Sequence, residues 1–348
     1  MSTVVRRTVP AIAAVGALAM ALTGCLAGEG APAAGDGAAT SGPAEGTEWS
    51  TDTLTIDWAT YNPLSIVIRE QGILEDTLDG VTVEWVQSAG SNKANELLRS
   101  GSADVASTAG SAALLARANG SPIQVIDIYS QPEWSAIVVG ADSDIDSVED
   151  LAGKRVAATV GTDPYFFLLQ ALEEAGLTVD DIELQNLQHA DGRAALEGGS
   201  VDAWAGLDPI MAAAEVESGA RLIYRNVDFN TYGFLNATED FITNHPDVAQ
   251  AVVDAYEQAR EWALENPDET AQLLADAAQI DLDVATTVIQ ERSNLDVSGV
   301  PGADQLAVLE RIAPVIGASG DVQGGQDAVD AALEEIINDE FAKAATGE

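Results

Sequence analysis

The sequence is poor in the residue types that usually carry catalysis or bind metal ions. Its 348 residues include one cysteine and two histidines, so an intrachain disulfide and a cysteine-based metal cluster are excluded. Basic residues are also scarce: 15 Lys and Arg stand against 57 Asp and Glu, a net charge of −42. Nucleic acid and anionic membrane surfaces repel such a chain, so no nucleic-acid partner is expected, and the acidity is typical of high solubility or salt tolerance.

Familiar catalytic motifs are missing as well. The sequence contains no G-x-S-x-G elbow, no Walker phosphate loop, no G-x-G-x-x-G and no H-E-x-x-H. His189 and His245 each stand beside a predicted helix start, which favours surface or capping roles. The run from Asp142 to Gly153 imitates a calcium loop, but it lacks the glycine at position six and the glutamate at position twelve. We therefore expect no metal, no cofactor and no enzymatic activity.

The N-terminus predicts export and a membrane anchor. Two arginines, Arg6 and Arg7, precede an apolar run over 11–22 that is too short to span a bilayer, and "LTGC" follows it. This pattern resembles a bacterial lipoprotein signal over residues 1–24, with Cys25 as the lipidated new N-terminus; the alternative is an ordinary secretory peptide. Residues 25–51 are rich in Gly, Ala, Ser and Pro and predict a flexible tether. The folded part is then expected at the outer face of the cytoplasmic membrane, held there by the lipid.

The rest of the chain alternates strand-like and helix-like segments in a layout that occurs twice. Asn62-Pro63 and Asp163-Pro164 both follow a predicted strand and are 101 residues apart, while "GSADVAS" and "GSVDAWA" begin 98 residues apart. An Asn or Asp before a proline is a common start of a helix, so we expect both side chains to act as N-caps, and Asp208 before Pro209 likewise. Two α/β lobes with parallel-type sheets and helices on both faces follow from this repetition.

Ligands of open α/β sheets bind beyond the carboxyl ends of the strands. The repeated turns at 59–62, 107–110, 160–163 and 205–208 lie there, and each offers free backbone N–H groups at a helix start. Two facing lobes would bring these turns together in one cleft. After residue 238 the pattern is helical to the end, which predicts a helical C-terminal extension packed on the first lobe.

Three segments carry a resemblance to a known family: "LRSGSADVASTAGSAAL", "SVEDLAGKRVAATVGTDPYFFLLQALEEAGL" and "ALEGGSVDAWAGLDP". Over about 52–340 the chain resembles the substrate-binding lipoproteins of ABC importers for sulfonates, taurine and nitrate. The resemblance implies a two-lobe type II periplasmic binding protein fold, with lobe 1 over 52–131 plus 234–348 and lobe 2 over 132–233. Chain crossings are then expected near 129–134 and 230–234.

The resemblance also implies a function. We expect a monomeric solute-binding receptor that closes on a small oxyanion, such as an aliphatic sulfonate or taurine, and delivers it to the transmembrane permease subunits of an ABC importer. Two departures leave the ligand open: "VGTDP" places Asp163 where the aliphatic sulfonate branch has small hydroxyls, and Leu207 replaces an aromatic. The alternatives are a neutral or cationic heterocycle such as a vitamin precursor, an enzyme of the same fold, and a purely structural surface lipoprotein.

The candidate ligand-binding residues lie on the repeated turns and the first crossing. Small hydroxyl and glycine residues there would present donors to an oxyanion, and nearby aromatic residues would form walls. Trp204 is expected either in the core or in a cleft wall. The candidates are Tyr61, Asn62, Ser107, Thr108, Gly110, Trp134, Gly161, Thr162, Asp163, Tyr165, Trp204 and Asp208.

Overall fold

The computed structural model describes residues 48–348. The predicted signal peptide, Cys25 and nearly all of the predicted tether lie outside the described residues. Among the helices that are described, none combines the length and the apolar character that crossing a membrane requires.

Ten strands and fourteen α-helices make up the described part of the chain. The strands are β1 (Thr53–Trp58), β2 (Thr82–Gln87), β3 (Val105–Ala109), β4 (Ile123–Ser130), β5 (Ser135–Val139), β6 (Arg155–Ala158), β7 (Glu183–Asn186), β8 (Ala203–Leu207), β9 (Arg221–Tyr224) and β10 (Gly233–Thr238). The first seven helices are α1 (Pro63–Gln71), α2 (Ile73–Thr77), α3 (Ser91–Ser100), α4 (Gly110–Ala118), α5 (Asp163–Glu174), α6 (His189–Glu197) and α7 (Ile210–Ser218). The others are α8 (Glu239–Asn244), α9 (Pro246–Glu265), α10 (Pro267–Ala278), α11 (Leu282–Thr287), α12 (Ala303–Ala318), α13 (Gly325–Glu335) and α14 (Glu340–Thr346).

The strands form two sheets with the same arrangement. The first has the order β2-β1-β3-β10-β4 and the second the order β7-β6-β8-β5-β9. In both, the first three neighbours are parallel, and the connections between them contain helices. The duplication read from the two Pro-containing turns is therefore present in the strand order, and we call the two halves the first and the second lobe.

One strand in each sheet departs from the predicted parallel arrangement. β10 runs antiparallel to β3 and β4, and β5 runs antiparallel to β8 and β9. Each of these strands is the first one after the chain has crossed from the other lobe, over 131–134 and 225–232. The sheets are thus mixed, and the two crossings overlap the segments expected near 129–134 and 230–234. The exact lobe boundaries stay a prediction.

The hydrophobic clusters show which elements pack together within the first lobe and between the two lobes. α9 and α14 pack with β1 and α1 in the core of the first lobe, as the predicted C-terminal extension requires. α12 does more than predicted, because Leu309 and Ile312 share one apolar cluster with Leu114 of α4 and Phe166 of α5. This helix therefore contacts both lobes, and a second cluster joins Ile66 of α1 to α7.

Candidate functional site: a chamber between the lobes

The carboxyl ends of six strands meet at a small enclosed chamber between the lobes. Its volume is about 10 Å³, which holds roughly one water molecule. The first lobe contributes residues that follow β1, β2 and β3, and the second lobe contributes residues at the ends of β6, β7 and β8. The lining consists of Tyr61, Ser91, Ala109, Trp134, Thr162, Asp163, Pro164, His189 and Leu207. A larger solute enters this space only if the lobes separate or side chains move.

An open groove of about 570 Å³ lies outside the chamber. Gln87 and Ser88 of the first lobe face Gln188 and His189 of the second lobe across it. His189 lines both spaces, so the groove adjoins the chamber at this residue.

The Asp163 carboxylate joins the two lobes. Its Oδ1 accepts hydrogen bonds from Ser111 Oγ at 2.5 Å and Thr231 Oγ1 at 2.7 Å. Its Oδ2 accepts from Trp134 Nε1 at 2.8 Å and from the Thr231 backbone N–H at 2.9 Å. Ser111 belongs to the first lobe, while Trp134 and Thr231 lie on the two crossings. Burial raises the pKa of Asp163, and the four donors oppose that rise.

The predicted N-cap at Asp163 is wrong. Asp163 is already the first residue of α5, and Thr162 occupies the N-cap position with an extended backbone. The carboxylate points away from the helix amides and toward donors that are 52 and 68 residues away in sequence. By contrast, Asn62 does cap α1, because its side chain accepts from Ser65 N.

A second cavity of about 10 Å³ lies behind the Tyr61 and Trp134 rings, which meet edge to face at 6.2 Å. Asp208 and Arg292 line it. Asp208 Oδ1 accepts from the Ala212 N–H at 2.9 Å, so the carboxylate does serve the start of α7. Its Oδ2 also lies 3.2 Å from Arg292 Nη1. Burial raises the pKa of Asp208 to about 6, and the Arg292 guanidinium opposes that rise.

A buried carboxylate also lies beneath the chamber. Asp57, at the end of β1, accepts from Ser107 N at 2.8 Å and from Ser107 Oγ at 3.2 Å. Tyr61 then donates its hydroxyl to the Ser107 carbonyl at 3.0 Å. Burial raises the pKa of Asp57 to about 7. This layer fixes the Tyr61 ring that walls the chamber.

The structure brings some predicted site residues to the chamber and keeps others away from it. Tyr61, Trp134, Thr162 and Asp163 line the chamber, and Asp208 lines the second cavity. The other seven candidates are buried but line neither space: Asn62, Ser107, Thr108, Gly110, Gly161, Tyr165 and Trp204.

The contacts of these residues show where each of them lies. Asn62 Nδ2 donates to Tyr256 Oη, and Thr108 Oγ1 accepts from Asn236. The Trp204 ring lies fully buried in the second-lobe core beneath α6, close against Gly192. Tyr165 packs against Phe166.

Gly110 and Gly161 face other parts of the protein rather than the chamber. A Cβ at Gly110 would meet Phe234 at 3.1 Å, and one at Gly161 would meet Leu115 at 3.5 Å. These are core positions adjacent to the site.

Sequence reasoning missed two polar residues. Ser91, the first residue of α3, lines the chamber, and its Oγ accepts from Ala109 N at 2.9 Å. Arg292 ends a π-helical segment over Val288–Arg292, an irregularity that is common at functional sites. No local sequence pattern marks Ser91, whereas an arginine inside an acidic helical run was a usable signal for Arg292.

The surface or capping role predicted for His189 is wrong, because the residue is 1% exposed and the N-cap of α6 is Gln188.

Two lobes with duplicated α/β sheets, two crossings and a chamber between them define the class of proteins that bind a solute by closing over it. The sequence model of the NMT1/THI5-like family matches residues 70–270, and the chain belongs to this family.

Individual relatives agree with that assignment. A protein of Escherichia coli (strain K12) named for binding aliphatic sulfonates is 28% identical, over 70% of this chain and 77% of the relative. The alkanesulfonate-binding protein SsuA from Xanthomonas axonopodis pv. citri, solved with bound MOPS, superposes with a TM-score of 0.70 at 24% identity, over 85% of this chain and 98% of that one. The desulfurization enzyme DSZB also has this fold, with a TM-score of 0.63 at 19% identity, over 85% of this chain and 99% of that one.

Proposed function

We propose that the protein is an extracytoplasmic solute-binding receptor of an ABC importer and that it captures a small sulfonate between its lobes. The observation that carries the proposal is the chamber, where turns from both sheets converge and which is too small for a solute unless the lobes separate or side chains move. The sulfonate-binding names of its relatives supply the ligand class. We further propose that Cys25 is lipidated and that the lobes have the limits given above. The protein is then a monomer whose partners are the transmembrane permease subunits.

The groups around the chamber support binding without conversion. Ser91 and His189 both line it, but within residues 48–348 the His189 ring has no serine hydroxyl as a hydrogen-bond partner of the kind that activates a nucleophile. Because DSZB is an enzyme with this fold, the distinction needs a direct assay. Mass spectrometry of a solute incubated with the protein should recover it unchanged.

A neutral or cationic heterocycle is the second candidate ligand. The observation that favours it is electrostatic: among the residues that line the chamber there is no lysine or arginine, and Asp163 is one of the lining residues. An anionic ligand would depend on backbone N–H groups and hydroxyls for its counter-charge. Charge-assisted hydrogen bonds of this kind contribute roughly 1.5–3 kcal/mol each, so several of them can offset the repulsion.

A calorimetric titration tests the proposal. Ethanesulfonate, 2-aminoethanesulfonate, nitrate and an aminopyrimidine would be titrated separately into the protein, and a sulfonate is expected to bind with a stoichiometry of one. Ser91→Trp should abolish that binding, because the indole would fill the chamber. Ser100→Trp is the matched control, since Ser100 is exposed at the other end of the same helix. Binding of the aminopyrimidine alone would favour the second candidate, and binding that survives Ser91→Trp would place the site elsewhere.

A further inference from the structure

His189 is the first residue of α6, and its imidazole is nearly completely buried between the lobes. Nδ1 lies 3.2 Å from Thr159 Oγ1. The Thr159 hydroxyl donates its single hydrogen to the Leu187 carbonyl at 2.7 Å. It can therefore only accept at Nδ1, so we assign the proton of the neutral ring to Nδ1 from this hydrogen-bond network.

The other ring nitrogen then has a free lone pair. Within residues 48–348, His189 Nε2 is buried and has no hydrogen-bond partner. Burial lowers the pKa of His189 to about 4, so the ring is neutral at neutral pH. A buried acceptor without a donor costs free energy, and native proteins usually satisfy such atoms with water or a ligand.

His189, the residue that carries Nε2, lies where the open groove adjoins the chamber, because it lines both spaces. It faces the start of α3 in the first lobe, where a Cβ built on Gly90 would be 3.0 Å from Nε2. The absence of a side chain at Gly90 allows the two lobes to come this close at the ring.

We propose that His189 Nε2 accepts a hydrogen bond from the bound solute, so that the protein selects sulfonates carrying an amine or hydroxyl donor over plain alkanesulfonates. The inference rests on the proposed sulfonate-receptor function. The Asp163 carboxylate in the same chamber adds a negative potential that also favours a donor-bearing end, and an ammonium group most of all. Thr159 is a positioning residue, because it fixes the tautomer without touching the solute.

Three matched probes of similar size separate the contribution of a donor group on the solute from that of the sulfonate. These are 2-aminoethanesulfonate, 2-hydroxyethanesulfonate and ethanesulfonate, titrated calorimetrically at pH 7 into the wild type. The two donor-bearing probes should bind about five- to tenfold more tightly than ethanesulfonate, which corresponds to one net hydrogen bond. His189→Phe should reduce the affinity for 2-hydroxyethanesulfonate to that for ethanesulfonate, and it should lower the affinity for 2-aminoethanesulfonate while leaving the part of its preference that comes from Asp163.

Two further variants distinguish the hydrogen bond from packing. His189→Gln offers a carbonyl oxygen at similar reach and should restore part of the preference. Thr159→Val removes the group that holds the proton on Nδ1, so the ring can carry it on Nε2 and the preference should fall. Nitrogen NMR of the rings reports the tautomer directly, and with two histidines in the chain a His245→Gln variant assigns the signals.

The outcomes are separable. Equal affinities for the three probes in the wild type, an undiminished preference in His189→Phe, or a proton on Nε2 in the free protein would each overturn the role of His189 while leaving the receptor function intact. If none of the three sulfonates binds the wild type, the proposed function itself is contradicted, and this inference with it.

Discussion

Replacing Asp163 tests the link that the structure places between the lobes. The carboxylate accepts four hydrogen bonds, and its donors Ser111, Trp134 and Thr231 are all buried. In Asp163→Ala the two hydroxyls can rotate toward other acceptors, but the Trp134 indole N–H and the Thr231 backbone N–H cannot. Each stranded donor costs about 1–3 kcal/mol, so the free energy of unfolding should fall by roughly 2–6 kcal/mol.

The conservative variant sharpens the test. Asp163→Asn keeps one acceptor oxygen but turns an NH₂ group toward existing donors. We expect a loss of about 2–4 kcal/mol, although the side chain keeps its shape. Urea unfolding followed by circular dichroism measures these values, and Asp144→Asn is the control because Asp144 is exposed. A change below about 0.5 kcal/mol in both Asp163 variants would refute the idea that this carboxylate holds the lobes together.

The pairing can be measured directly in a double-mutant cycle. Trp134→Phe removes one donor and retains most of the ring packing. If Trp134 and Asp163 interact as the 2.8 Å distance indicates, the losses in Trp134→Phe and Asp163→Ala should be non-additive by about 0.5–3 kcal/mol. Additive losses would show that the contact contributes nothing.

Three more predictions follow from charge and from the anchor. Arg292→Met leaves the buried Asp208 carboxylate unpaired and should lower the free energy of unfolding in urea by about 3–5 kcal/mol. Arg225→Met, at an exposed pair, is the control and should lower it by at most about 1 kcal/mol. Equal losses in the two variants would contradict this prediction. Burial raises the pKa of Asp57 in the folded protein to about 7, above its ordinary value of 3.8, so folding takes up a proton between these two pH values. The free energy of unfolding that Asp57 contributes is therefore lost as the pH rises from about 4 to 7. Asp57→Asn should reduce the fall of the free energy of unfolding with pH by up to about 1.4 kcal/mol per pH unit. An unchanged slope would refute the raised pKa of Asp57. Cys25→Ser should abolish lipidation, as read by intact mass and membrane fractionation; a mutant that still carries lipid would show that the signal was misread.

Much of the fold was predictable because its signals are local. The Asn62 cap precedes Pro63 within a single turn, and the repeated strand-to-helix units predict the two lobes, whereas the expected crossings rest on the family resemblance. β5 and β10 were harder to predict. Both are nearly completely buried on both faces, so they lack the alternation of apolar and polar residues that identifies a half-exposed strand.

The site was less predictable because its contacts are long-range. Asp163 has the same sequence context as Asn62, yet its partners come from three distant segments, and no local pattern distinguishes a cap from an interlobe link. Pro209, and not the predicted Asp208, is the N-cap of α7. Asp208 still accepts from the Ala212 N–H in the first turn, and its pairing with Arg292 links residues 84 positions apart. Asp208→Asn is therefore expected to lose stability, contrary to what capping alone predicts. For His189 the sequence predicts a surface or capping role because it stands beside a helix start, whereas the opposing lobe buries it.

The capture of a solute between the lobes is tested most directly by an interlobe distance. Spin labels on Glu96→Cys of α3 and Asp191→Cys of α6, in a Cys25→Ser background, report the separation of two exposed sites on opposite lobes. Pulsed electron resonance would be recorded without solute and with saturating 2-aminoethanesulfonate. The account predicts that the solute narrows the distribution toward its shortest distance. Identical distributions, with calorimetry showing that the solute is bound, would contradict capture by lobe closure.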